Sequence, residues 1–237
     1  MIGSIIIPIG VILGLAVVAA GVVYFGFRLR SGEPINISFS FLLKAYFYLL
    51  TIVGLIVLLI GLSGLLNAGL GLVLGRDFGY PRPPVARPIA VSPEGVPLKT
   101  APPPEEQRLE AGRQQERQFR EGLLQGASML LVGGIVWGVH VLGRRRMTRG
   151  EDERSSFLGM AYLIIVLAIS SIVGVISLTS AINDTLRFYL IEAVSEFEFR
   201  PPPGQNVSVA LVFTPAWVYY LLALLRGLNH GAPLERR

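Results

Sequence analysis

The chain contains no cysteine, which excludes disulfide staples, thiol nucleophiles and thiolate metal sites at once. Histidine occurs only at His140 and His230, so an imidazole-based site has two ligands at most to draw on. Lysine is nearly absent as well: Lys44 and Lys99 stand against nineteen arginines. No ionisable residue lies near the middle of any long apolar run, and an ion pump or proton relay needs one there. No phosphate-binding glycine loop and no nucleophile–base set can be found. An enzyme is therefore the least supported class, and no resident cofactor or metal is expected.

Long apolar runs, by contrast, are abundant. The chain has 237 residues, 52% of them hydrophobic and 16% charged, too apolar for an ordinary soluble domain. A helix needs about 20 predominantly apolar residues to cross a bilayer. Five segments approach or exceed that length: 5–27, 45–66, 123–142, 157–178 and 207–225. The first lacks a basic leader and is longer than a secretory core, so it reads as an uncleaved anchor. The last contains Pro215, which removes a helix hydrogen bond. The expected fold class is an all-α integral membrane protein with five transmembrane helices.

Arginine then sets the orientation, because basic residues beside short loops stay in the cytoplasm. Arg28, Arg30 and Lys44 follow the first segment, Arg144, Arg145, Arg146, Arg149 and Arg154 follow the third, and Arg226, Arg236 and Arg237 follow the fifth. Between the fourth and fifth segments the balance reverses, with Asp184, Glu192, Glu196 and Glu198 against Arg187 and Arg200. One arrangement satisfies all three clusters: N-terminus outside, C-terminus inside, with the membrane a bacterial cytoplasmic membrane. The net charge of +5 is topological in this reading, and nucleic acid is not a partner. The long outer connection opens with nine prolines between Pro81 and Pro104, an extended linker over the surface. It continues as "EEQRLEAGRQQERQFREG", a polar stalk helix that starts at Glu105 and Glu106 and runs without a break into the third segment.

The chain also repeats itself. Residue n laid over residue n+116 places Phe41, Leu42, Ala45 and Tyr46 on Phe157, Leu158, Ala161 and Tyr162, and Asn67 on Asn183. At an offset of 80, "LVGGIVWGVHVL" lies over "LVFTPAWVYYLL"; the only two tryptophans, Trp137 and Trp217, coincide, and His140 falls on Tyr220. This implies two parallel helix–loop–helix units related by an axis along the membrane normal. The expected organisation is an anchor helix at 1–30 and a first unit at 41–146, interrupted at about 76–121 by the proline-rich loop and stalk. A second unit follows at 157–226, with an acidic outer loop, and then a cytoplasmic tail at 227–237. The unit, with "AY" near the start of one helix and then "LVG", a tryptophan, a histidine three residues on and arginines, resembles an uncharacterised family of bacterial multi-spanning membrane proteins. That family is catalogued as a domain of unknown function with tandem two-helix repeats. The resemblance covers the second to fifth segments and implies a four-helix tandem; it brings no activity. Pro215 keeps the family-like proline two residues before tryptophan, whereas Ile135 replaces it in the first unit.

Several residues are candidates for a role. His140 lies one turn below Arg144, at the depth where amphipathic rings bridge lipid and water, and Tyr220 fills the same place in the second unit. Its rival use is as an axial ligand for haem or a chlorophyll-type pigment. Asn67 and Asn183 occupy matching depths and are expected to bond across the repeat axis or to cap helices. Gly134 and Gly138, like Gly10 with Gly14 and Ser170 with Gly174, recur every four residues and permit close helix approach within the chain or against other subunits. The reading is a non-catalytic accessory subunit whose partners are the lipid bilayer and other membrane proteins; its rivals are a pigment carrier using His140 and a small transporter built on parallel repeats. A topology reporter fused after Arg237 should be active only on the cytoplasmic side, and one inserted at Pro93 only outside. The reverse pattern would overturn the orientation.

Overall fold

The computed structural model describes residues 39–83, 104–147, 157–190 and 201–230. The first apolar segment, most of the proline-rich linker, Glu192, Glu196, Glu198 and the extreme C-terminus lie outside the described residues, as does the side chain of His230. The described part consists of helices: α1 (Phe39–Val73), the short α2 (Arg76–Gly79), α3 (Pro104–Met147), α4 (Phe157–Leu190) and α5 (Gly204–His230). All but α2 are long and apolar enough to cross a bilayer. Hydrogen bonding dictates this choice, because within hydrocarbon only a helix or a closed barrel satisfies every backbone group.

The ends of the helices follow from local sequence. α1 stops at Val73 because Gly75 adopts φ 103°, a conformation open to glycine, after which α2 forms one turn. α3 starts at Pro104, where a missing N–H costs nothing, and carries Glu105 and Glu106 in its first turn. It finishes with Arg144, Arg145 and Arg146, positive charge at the negative end of the helix dipole. With 44 residues, α3 is about 66 Å long, twice the thickness of a bilayer core. The polar stalk and the third apolar segment are thus one rod, and Glu116 pairs with Arg120 on its surface at 3.0 Å. α5 runs straight through Pro215, so the proline does not end the fifth span.

α3 lies antiparallel on α1, and the two backbones nearly touch. A Cβ on Gly54 would come within 2.6 Å of the Trp137 backbone nitrogen. One on Gly126 would come within 2.9 Å of the Leu65 nitrogen, and Gly61 and Gly133 are equally tight against Leu130 and Leu58. The glycines repeat every seven residues on each helix, two turns apart, and so form one continuous seam. Gly134 has only Leu58 Cδ1 beside it, at 3.8 Å, and Gly138 has nothing within 4 Å. Among the described residues, close approach of α3 to α1 therefore belongs to Gly126 and Gly133 rather than to Gly134 and Gly138.

The apolar core sits on the opposite side of α1. Tyr48, Ile52, Leu55, Ile56 and Leu59 of α1 pack with Tyr162, Val166 and Ile169 of α4 and Val212, Phe213 and Tyr220 of α5. α4 and α5 are antiparallel neighbours, and α1 rests against both. α3 adds Trp137 at the edge of this core. A small second cluster, Ala68, Tyr80 and Phe119, fastens the turn after α2 to the stalk. Gln115 there donates to Asp77 Oδ1 at 2.8 Å and to the Tyr80 carbonyl at 3.0 Å, while Arg76 pairs with Glu116 at 3.5 Å. The lower stalk is therefore a docking strip for its own chain.

The seam makes opposite demands at neighbouring glycines. Gly61→Val should destabilise the protein by about 1–3 kcal/mol, since backbone atoms cannot move aside for the new side chain. Gly69→Ala, with nothing within 4 Å, should be neutral or gain up to about 1 kcal/mol in helix propensity. Thermal unfolding of the purified protein in one detergent compares the two directly.

Candidate functional site

Two polar constellations lie at opposite ends of the bundle. The first is at the Arg144 end, where each long helix contributes one side chain. Tyr48 from α1 and Tyr162 from α4 have ring centroids 5.8 Å apart, and Tyr162 and Tyr220 of α5 share a hydroxyl–hydroxyl bond of 2.9 Å. The Arg144 guanidinium of α3 lies 4.9 Å from the Tyr48 ring and 4.8 Å from that of Tyr162. A cation over an aromatic face is worth about 0.5–2 kcal/mol, with the upper end reached when it is desolvated. Arg144 thus reaches from α3 to α4, two helices that otherwise scarcely meet.

His140 and Tyr46 sit beside this cluster. Their ring centroids are 5.8 Å apart, and Phe47 lies 5.6 Å from the same imidazole. His140 Nδ1 is 2.7 Å from the carbonyl of Val136, which can only accept, so Nδ1 carries the proton. The half-buried imidazole is thus engaged by its own helix and by two aromatic neighbours on α1. Trp137 is half-buried against the core, with its indole Nε1 lacking a partner. Trp217, its counterpart on α5, is half-buried too. Tyr48 and Arg144 complete a site that sequence reasoning assembled only in part; aromatic residues at one depth of three helices were the available signal.

The second constellation surrounds Asn67 and Tyr80. Asn67 donates to the carbonyl of Gly79 at 3.1 Å, pulling the α2 turn back onto α1, and its Oδ1 is buried without a donor. Asn183 is exposed on α4 and reaches its neighbour Asp184 at 3.4 Å. The two asparagines that match in sequence thus serve different ends. Tyr80 is 7% exposed, and its buried hydroxyl has no hydrogen-bond partner. It lies over Gly122, where a Cβ would stand 2.7 Å away, so the glycine in the stalk is there to admit it. Burial pushes the Tyr80 phenol above its ordinary pKa, a rise that nearby Arg76 and Asn67 partly offset. An unmet buried polar atom costs about 1–3 kcal/mol, a cost that Trp137 Nε1 incurs at the other end as well.

A cleft of about 610 Å³ opens beside them. α1 forms its floor, α3 one wall, and the end of α4 with the start of α5 the other. Its lining includes Glu121, Gln125, Asp184 and Asn206 together with Ile60, Met129 and Val209 and, among the described residues, no lysine or arginine. Asn206 donates to Asp184 Oδ2 at 2.7 Å and holds that carboxylate in place. Gly204 allows the wall to close: a Cβ there would meet Asn67 Oδ1 at 2.6 Å and the Phe78 carbonyl at 2.7 Å. Among the described residues no group of three or more His, Asp or Glu could hold a metal ion.

The matched stretch of a family described as a domain of unknown function (DUF5671) runs over residues 100–219. It takes in α3, α4 and most of α5 but leaves out α1, so it is narrower than the second-to-fifth-segment resemblance expected from motifs. No curated protein and no solved structure matches the chain.

The tyrosine pair gives a direct test of the closed end. Tyr162→Phe should cost about 1–3 kcal/mol by stranding the Tyr220 hydroxyl, and Tyr220→Phe should do the same in reverse. The double Phe variant should recover much of the loss, because neither hydroxyl is then left unmet. Melting temperatures of the four proteins in one detergent report the coupling.

Proposed function

Since the chain belongs to the domain-of-unknown-function family DUF5671, whose name supplies no activity, we propose from its geometry that it is a non-catalytic subunit of a larger membrane assembly, with α3 as the helix that meets the partner. One observation carries this reading. α5 packs against both α4 and α1, whereas α3 packs against α1 and α2 and reaches α4 by little beyond Arg144. Only 11% of the most apolar stretch of α3 is buried among the described residues, against 44% for α1.

The duplication sharpens that asymmetry. Tyr46 and His140 of the first unit correspond to Tyr162 and Tyr220 of the second, and their ring centroids are 5.8 and 6.0 Å apart. α1 and α4 run in the same sense, with Tyr48 near Tyr162 at one end and Phe78 near Phe188 at the other. These equivalences support two parallel repeats. In such an arrangement the place beside α3 that corresponds to the seat of α1 beside α5 has no helix in it among the described residues. A second protein occupies it in this reading, and Gly138, with open space around it, lies on the free part of α3. In this reading the chain spans the bacterial cytoplasmic membrane five times, N-terminus outside, with residues 5–27 as the first span.

A photo-reactive residue placed at Ile135, Val139 or Leu142, all exposed on α3, tests this in cells expressing the protein at native level. Capture of one distinct membrane protein at stoichiometric yield is the expected result. Capture of lipid alone, or of the chain's own residues 5–27, would remove the subunit reading.

A further inference from the structure

The cleft beside Tyr80 has a definite sign, and its lining is part polar and part apolar. Both charged side chains among its described lining residues are carboxylates, Glu121 and Asp184, and the amides of Gln118, Gln125, Gln205 and Asn206 belong to the same lining. Ile60, Met129 and Val209 supply the apolar part of the lining, one from each of α1, α3 and α5. Tyr80 and Asn67 stand in the same wall, with the Tyr80 hydroxyl against Gly122 and Asn67 Oδ1 against Gly204. An occupant matched to this lining brings positive charge at one end and an apolar body at the other.

We propose that this cleft binds an amphiphilic organic cation, with its ammonium or similar head toward Glu121 and Asp184 and its apolar body over Ile60, Met129 and Val209. An anionic lipid or phosphate would meet two carboxylates and, among the described lining residues, no lysine or arginine, while Arg76 next to Tyr80 is already paired with Glu116. A bare metal ion would find too few ligands, since no acidic or histidine triad occurs among the described residues. A sugar would waste the apolar part of the lining. The volume, about 610 Å³, falls within the usual range for small-molecule sites. The wall opposite α3 is the end of α4 and the start of α5, and α3 does not pack against either, so the apolar part of the lining is within reach of the bilayer as well as of water. The head thus comes either from a soluble cation or from an amine-bearing lipid; the chemistry recognised is the same. This site does not depend on the subunit reading, because its walls all come from one chain.

The test uses the full chain in nanodiscs of neutral lipid and a pair of probes of matched shape and opposite sign, tetraphenylphosphonium and tetraphenylborate. Saturable binding of the phosphonium, with at least about tenfold preference over protein-free discs and no saturable borate binding, is expected. Glu121→Gln and Asp184→Asn should each weaken phosphonium binding by about three- to tenfold, while Glu110→Gln on the exposed stalk should leave it unchanged. Glu121 is exposed, so its variant reads binding even where Asp184→Asn disturbs the bond from Asn206. Displacement by stearylamine in the disc marks a lipid source, and displacement by tetraethylammonium from the buffer a soluble one. Equal binding of both probes, or phosphonium binding untouched by Glu121→Gln and Asp184→Asn together, overturns the proposal.

Discussion

Backbone-to-backbone contact between α1 and α3 is the constraint from which the rest of the molecule follows. In lipid there is no hydrophobic gain in bringing two apolar helices together, so attraction must come from close packing. Gly54 and Gly61 on α1 and Gly126 and Gly133 on α3 supply it by removing the side chains that would hold the helices apart. Because the contact is made by backbone atoms on a narrow strip, it sets the register of the pair tightly. That register delivers Gln115 to the α2 turn at one end and Arg144 to the tyrosines at the other, more than 25 residues apart on one rod.

The same seam leaves α3 attached by one face. α1 is shared between it and the core of α4 and α5, so α1 is the central helix and α3 an outrigger. The two ends of the bundle then differ in kind. At the Arg144 end, hydroxyl meets hydroxyl and cation meets ring, and the helices close together. At the Asn67 end, the α2 turn and the prolines before α5 hold the walls apart, and polar atoms remain unmet. Unmet buried atoms occur at both ends, Trp137 Nε1 at one and Tyr80 Oη with Asn67 Oδ1 at the other, but the cleft opens only beside the second.

The family match bears on this division. The matched stretch supplies both walls of the cleft, from α3 and from the α4–α5 corner, but its floor and the buried Asn67 come from α1, outside that stretch. Any property of the cleft is consequently a property of the whole bundle rather than of the matched segment alone.

How much of this was legible in residue order depends on the kind of interaction. Apolar runs, the proline and glycine breaks and the terminal arginines act locally, so the helices, the uninterrupted rod from Pro104 to Met147 and its acidic start could be read directly. The pairing of Tyr46 with His140 could not be read in the same way, because it joins two helices far apart in sequence. Nor could the glycine seam, because a stripe every four residues at Gly134 and Gly138 and one every seven at Gly126 and Gly133 look alike until a partner helix selects between them. The cleft was invisible for the same reason: Glu121, Asp184, Asn67 and Tyr80 come from separate elements, and only packing brings them to one wall. By itself the sequence determined which segments become helices, since that is decided by burying peptide groups within each segment. Which faces meet, and what hollow is left between them, was decided only by the tertiary structure, because contact between helices depends on shape across a distance that no local pattern encodes.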